Sequence, residues 1–255
     1  LREKLTSFSS LFYTWNGGLG TNFWSLFAYY LASPLNILIV LFPPAYLTEA
    51  ILLLVLVKIG LSGATFAAFL RGVRQMTGSA PVAFATMYAL SGYTLAYFWN
   101  IMWLDSLFLL PLVMLGLHRL VRERRFVLYV VSLALVIYSN YYMAFFVCLF
   151  TVLYFPVCLF TDLPISRPGR LLGATARFAG ASVLAGGLAS ILLLPTFFSL
   201  RLTSAAGDTF PRSVNHYFDL FDFISQHYVL TPPSIREGMP NMYAGLVVLI
   251  LLPVY

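Results

Sequence analysis

Charge is scarce in this chain: Asp, Glu, Lys and Arg make up 9% of its 255 residues, while 60% are hydrophobic. A soluble domain carries roughly 25% charged residues. So few charges cannot cover a sphere in water, so lipid must solvate most of the surface and a soluble globular enzyme is excluded. Cysteine is nearly absent as well. Cys148 and Cys158 stand ten residues apart in one apolar run, a spacing that is neither C-x-x-C nor a zinc pattern. They read as small lipid-facing or core residues, and no metal ligand is assigned.

Several motifs are missing, and each absence removes a class. No G-x-x-x-x-G-K-[ST] occurs, which excludes a P-loop ATPase, and no H-E-x-x-H occurs. There is no G-x-S-x-G nucleophile elbow. Nor is there an Asp-x-Asp, the metal-nucleotide grip of soluble nucleotide-sugar transferases. An activated group delivered within the membrane does not need that grip. No repeat of fixed period and no low-complexity tract breaks the chain. The polar stretch over 199–240 is too short for an independent core. No signal peptide is visible, and a chain that runs from Leu1 to Tyr255 inside an apolar run reads as a fragment of a longer protein.

What remains is a series of apolar runs. Residues 1–21 are polar and then glycine-rich, with Gly17, Gly18 and Gly20 making an irregular turn. Residues 23–42 are apolar but interrupted by Tyr29, Tyr30, Ser33, Pro34 and Asn36. They read as two short interfacial helices, the second opened by Pro34; one true span is the alternative. Together, residues 1–45 form an outer interfacial segment. Spans follow at about 46–70, 81–98, 104–120, 126–138, 143–161, 178–198 and 242–255, giving seven. The division of 126–161 is forced by length. One straight helix there would measure about 54 Å, against a hydrocarbon core of about 30 Å. Ser139-Asn140-Tyr141-Tyr142 is the polar place to turn. Gly180, Gly186 and Gly187 in the sixth span suit close helix packing. The fold class is therefore all-α, a polytopic transmembrane helical bundle.

Charge placement tests the layout. The loops at 71–79, 118–125 and 162–177 hold nine of the fifteen basic residues, and the proposed spans put all three loops on one side. The positive-inside rule makes that side cytoplasmic. The net charge of +6 is thus sorted by membrane side and does not mark a nucleic-acid partner. Seven of the nine acids fall on the opposite face, with the aromatic-rich turns.

On that outer face, Trp99-Asn100-Ile101-Met102-Trp103-Leu104-Asp105 joins two apolar runs. Asp105 sits in a first helical turn, where a carboxylate is favoured by the dipole. It reads either as a cap flanked by interface indoles or as part of a polar site. Lys58 lies near the middle of its span. It can pair with Asp105 or Glu49, snorkel along its own stem, or hold an anionic head group such as a lipid phosphate. The stretch over 199–241 offers His216, His227, Asp219, Asp222, Arg201, Arg212 and Arg236. Its Asp219-x-x-Asp222 resembles one turn of an amphipathic helix, and its spacing specifies no metal.

Several stretches then resemble the YfhO family of bacterial membrane proteins. They are Phe12-Tyr13-Thr14-Trp15-Asn16-Gly17-Gly18-Leu19-Gly20-Thr21-Asn22-Phe23-Trp24, Tyr30-Leu31-Ala32-Ser33-Pro34-Leu35-Asn36, the turn over 99–105, Asn140-Tyr141-Tyr142, Leu194-Pro195-Thr196 and residues 238–245. They stand in the family's order along nearly the whole chain. The resemblance implies a GT-C-like glycosyltransferase. Such an enzyme moves a monosaccharide from a polyprenyl-phosphate carrier, the lipid-linked sugar donor, to a cell-wall polymer acceptor such as lipoteichoic acid. It would sit in the bacterial cytoplasmic membrane with its active face extracellular and membrane lipid around it. A transporter or flippase of a lipid-linked saccharide, or a non-catalytic partner in wall assembly, would place its polar groups similarly. The family's Asp-x-Tyr-x-Gln stretch, expected to carry the catalytic acid/base, would lie upstream of Leu1. Within the chain, Asp105, Asp222 and His216 are the carboxylate and imidazole candidates. Lys58 or Arg201 would hold the phosphate. Asn16, Asn22 and Asn100 would meet sugar hydroxyls, and Trp99 or Trp103 would stack on the sugar. A divalent cation is the one cofactor the resemblance leaves open.

Overall fold

The computed structural model describes Lys4 and residues 12–15, 17, 19–163, 168–201, 218–228, 231, 239, 241–251 and 253. Asn16 and His216, and most of the stretch over 199–240, lie outside the described residues. The described chain is helical apart from a two-residue antiparallel ladder, β1 (Tyr13–Thr14) on β2 (Thr21–Asn22). Among the described residues, four helices are long and apolar enough to cross a membrane: Pro44–Arg74, Leu104–Glu123, Tyr141–Asp162 and Gly169–Leu200.

The chain enters through α1 (Phe23–Leu26), capped by the Asn22 side chain, which accepts from Ser25 N–H. The coil widens to a π-turn over Phe27–Leu31. It then bends by 97° before Pro34–Val40, whose last four residues, Ile37–Val40, are α2. Pro34 causes the bend: it lacks an N–H and forces Ser33 into an extended conformation. Residues 22–42 therefore form no single straight helix.

Helix α3 (Leu47–Arg74) runs 28 residues, about 42 Å, and ends with Gln75 in the left-handed region. Its neighbour α6 (Leu104–Glu123) lies parallel to it. Lys58 meets Asp105 near the start of the contact, and Phe69 meets His118 further along. Two parallel neighbours need a return segment, supplied by α4 (Ala80–Ala89) and α5 (Gly92–Tyr97). The span expected over 81–98 is thus two pieces, not one. Ser91 is extended and Gly92 turns its N–H to the carbonyl of Tyr243 at 2.7 Å, which breaks the helix between them.

Helix α7 (Val127–Ser139) is 13 residues, about 20 Å, shorter than a hydrocarbon core. Asn140 stops it in an extended conformation and caps α8 (Tyr141–Asp162), accepting from Met143 N–H. Helix α9 (Pro168–Leu200) is one 33-residue rod that starts ten residues before the span expected at 178. Short helices α10 (Leu220–Ser225) and α11 (Leu246–Leu251) follow.

The largest core joins α6, α7, α8 and α9 through residues such as Val113, Leu117, Val136, Cys158 and Ala185. Small residues let α9 pack closely, but they are alanines rather than the glycines named above. Ala181, Ala185 and Ala189 are buried, whereas a Cβ at Gly180, Gly186 or Gly187 would meet nothing within 4 Å. The close approach lies elsewhere: a Cβ at Gly116 would sit 2.5 Å from the backbone N of Tyr129 and 2.6 Å from its Cα. Backbone cannot swing aside as a side chain can. Gly116→Ala is expected to part α6 from α7 and to cost about 1–3 kcal/mol. Gly186→Ala, inside α9 with nothing in its way, should be neutral to stabilising by up to about 1 kcal/mol. Thermal unfolding of the two variants in detergent compares them directly.

Candidate functional site

The two ends of the bundle differ in chemistry. At one end the basic residues gather: Arg71 and Arg74 close α3, and Arg122 closes α6 and pairs with Asp162 at the end of α8. At the other end lie buried polar groups: Ser33, Asn36, Asn100, Asp105, Ser106, Ser139 and Asn140, with Lys58 beneath them.

This polar end is built around Asp105, which is fully buried in the first turn of α6. Lys58 Nζ donates to its Oδ2 at 2.5 Å and to the carbonyl of Ile101 at 3.0 Å. Ser33 Oγ donates to its Oδ1 at 2.6 Å. The bend before Pro34 delivers Ser33, the middle of α3 delivers Lys58, and the turn over 99–103 supplies the carbonyl. Of the roles open to Lys58, the structure shows the pairing with Asp105. The ammonium faces a carboxylate and a carbonyl, and both carboxylate oxygens accept hydrogen bonds. In this arrangement the pair fixes the turn over 99–105 relative to α3. Neither group is presented to solvent.

Two further bonds fasten the bent entry segment to the same end. Asn140 donates from Nδ2 to the carbonyl of Tyr29 at 2.8 Å while its Oδ1 accepts from Met143 N–H at 2.9 Å. Trp24 Nε1 donates to the carbonyl of Leu192 at 3.4 Å. One amide thus caps α8 and holds the π-turn. Asn140→Ala removes the cap, worth about 1 kcal/mol, and strands the Tyr29 carbonyl, costing at least about 1 kcal/mol more. The expected loss of about 2 kcal/mol is read by thermal unfolding, and the neutral Asn140→Ser, whose hydroxyl can accept from Met143 N–H, should recover the cap alone.

Beside the Asp105 network a groove of about 280 Å³ opens between α5, α6 and α8. Its walls include Tyr93, Trp103, Ser106, Met143, Phe146 and Phe150. Trp103 stacks on Tyr142, 6.3 Å between centroids. The surface is almost wholly apolar, with one exception. Trp103 Nε1 and Ser106 Oγ are buried and have no hydrogen-bond partner among the described residues, and neither has Asn100 Nδ2 three residues before the indole. An unpaired buried donor costs about 1–3 kcal/mol, so three between Asn100 and Ser106 concentrate that cost beside the groove.

The remaining candidates are spread out. Trp99 is about half exposed and donates to the carbonyl of Ala96 at 3.1 Å. Asn22 caps α1. Arg201 is exposed at the end of α9, its guanidinium 4.5 Å over the Phe197 ring. Asp222 is exposed and closes a capping box with Asp219 at the start of α10. Of the residues singled out from the sequence, the structure brings together Lys58, Asn100, Trp103 and Asp105. Ser33 and Ser106 join them, and neither stood out beforehand as a contact. The signals were Ser33 preceding a helix-breaking Pro34 and Ser106 following a membrane carboxylate.

A second polar group, at the basic end, was hidden in the sequence. His118, Cys158 and Asp162 bring one ligating atom each to within 4.8 Å of one another. His118 and Cys158 are forty residues apart in different apolar runs, so no local spacing reveals them.

Long apolar helices, buried polar groups at one end and arginines at the other define a multi-pass α-helical membrane protein. Within that class the chain belongs to the family described as bacterial membrane protein YfhO, which matches residues 1–255. No curated protein and no solved structure matches it.

Proposed function

We propose that the protein is a GT-C-like glycosyltransferase of the bacterial cytoplasmic membrane. It moves a monosaccharide from a polyprenyl phosphate to an outer-surface polymer such as lipoteichoic acid. The observation that carries the reading is the groove of about 280 Å³ beside Trp103: its walls are almost wholly apolar, and two of its lining residues, Trp103 and Ser106, keep a buried polar atom without a partner among the described residues, as does nearby Asn100. The acceptor hydroxyl oxygen attacks the anomeric carbon, and the bond to the carrier phosphate breaks with its electron pair leaving on phosphate. A base takes the hydroxyl proton, for which it must lie within hydrogen-bond reach. Fixed cations stabilise the phosphate, and Arg201, on the polar end of α9, is the exposed candidate. Trp103, with Trp99 further out, offers an indole to the sugar face, and Asn100 and Asn22 offer amides to its hydroxyls. The Lys58–Asp105 pair positions the turn that bears Asn100 and Trp103. The positive-inside rule supports an arginine end in the cytoplasm and this groove at the outer face.

The full-length protein in liposomes, given radiolabelled carrier-linked sugar and a wall-polymer acceptor, is expected to move label into the polymer. Label that crosses the bilayer while the polymer stays unlabelled would make the protein a flippase and overturn the reading. No movement of either kind would leave it a partner in wall assembly.

A further inference from the structure

His118, Cys158 and Asp162 form a compact trio where α6 and α8 end. His118 Nδ1 lies 2.6 Å from Asp162 Oδ2, and Cys158 Sγ lies 3.4 Å from that nitrogen and 3.3 Å from that oxygen. The three side chains are buried. These are the atoms a zinc-type ion takes as ligands, at bond lengths of about 2.0–2.3 Å. Neighbouring ligands of such an ion stand on the order of 3.5 Å apart, so the trio already has nearly the required size.

The surroundings also match. The second nitrogen of His118, Nε2, lies 3.0 Å from the Tyr154 hydroxyl. The second oxygen of Asp162, Oδ1, accepts from Arg122 Nε at 2.6 Å and from a terminal guanidinium nitrogen at 2.6 Å. Metal-bound imidazoles and carboxylates are held in this way, by a partner on the atom that faces away from the ion. The Phe69 ring, 6.3 Å from the imidazole, closes one side. Arg122, its side chain 36% exposed, covers the fully buried carboxylate from the solvent side.

We propose that His118, Cys158 and Asp162 bind a borderline-soft divalent cation of the zinc type. The fourth position is open to water. The ion pins the end of α6 to the end of α8. On binding, the Cys158 thiol loses its proton to solvent. The His118 proton passes from Nδ1, where Asp162 accepts it, to Nε2, where Tyr154 accepts it. Thiolate and carboxylate together balance the two charges of the ion, and Arg122 keeps its own charge at the surface. The site lies at the opposite end from the groove and does not depend on the sugar-transfer reading.

The full-length protein in detergent, titrated with Co²⁺ and no sugar donor, is expected to bind one equivalent and to show a thiolate-to-cobalt absorption band. Zn²⁺ should bleach the band. Cys158→Ser should abolish it, and Cys148→Ser should leave it intact. Tyr154→Phe should weaken binding by about tenfold through the orientation of His118. X-ray absorption on the unmutated zinc-loaded protein gives a test free of folding effects, with one sulfur expected at about 2.3 Å. A zinc shell with no sulfur, a band that survives Cys158→Ser, or no band at all overturns the proposal.

Discussion

Lys58→Met is expected to destabilise the protein by about 3–5 kcal/mol, and Asp105→Leu by a similar amount. Each single change leaves its partner charged, buried and without its counter-ion. Lys58 and Asp105 are at most 1% exposed, so water cannot take the place of the missing group. The double variant Lys58→Met/Asp105→Leu should recover most of the loss, because an apolar pair of similar volume avoids the desolvation of two charges. Thermal unfolding of the four proteins completes a double-mutant cycle. A coupling below about 0.5 kcal/mol would mean that the pair holds nothing. Transfer activity in the same set separates two roles for the lysine. If its ammonium served the donor phosphate directly, the double variant would fold and stay inactive. The geometry predicts recovery, since Lys58 Nζ already meets Asp105 and the Ile101 carbonyl and acts through the turn it anchors.

The architecture was legible because membrane helices announce themselves by composition and length. The apolar run over 126–161 is too long for one crossing, and the chain breaks at Asn140, the amide that can cap a new helix. What could not be read was how helices pair. Alternating spans at 46–70, 81–98 and 104–120 already made α3 and α6 parallel with a return between them, and Asp105 was one of two acids open to Lys58. That the two helices touch through residues 47 apart, and that the return is broken into α4 and α5 at Ser91 and Gly92, no local pattern showed. The glycines show the same limit. Gly116 and Gly186 are alike in sequence, but one touches the backbone of a neighbouring helix and the other faces open space. The polar end was half legible. A lysine and an aspartate inside spans were visible as expensive residues, and the structure shows each as the other's compensation. The orphaned hydroxyl of Ser106 was invisible, because a serine in a membrane helix ordinarily bonds back to its own backbone, as Ser132 does to Leu128.

That orphan gives the second large effect. Ser106→Ala removes a buried hydroxyl that has no partner among the described residues, on a residue only 3% exposed, so the variant is expected to be more stable by about 1–3 kcal/mol. Trp103→Phe acts alike, keeping a ring on Tyr142 while deleting an unbonded N–H. If the groove takes the donor, both changes should cost transfer, because the lost atoms are those the ligand would satisfy. About tenfold in kcat/KM for each corresponds to about 1.4 kcal/mol of transition-state binding, and the two together should approach a hundredfold. Higher stability with lower turnover is the signature of polar atoms held unpaired for a ligand. Damage to the fold would move both quantities down. Turnover unchanged in the more stable double variant would leave the groove a packing defect and move the search for the donor site to the arginine at the end of α9.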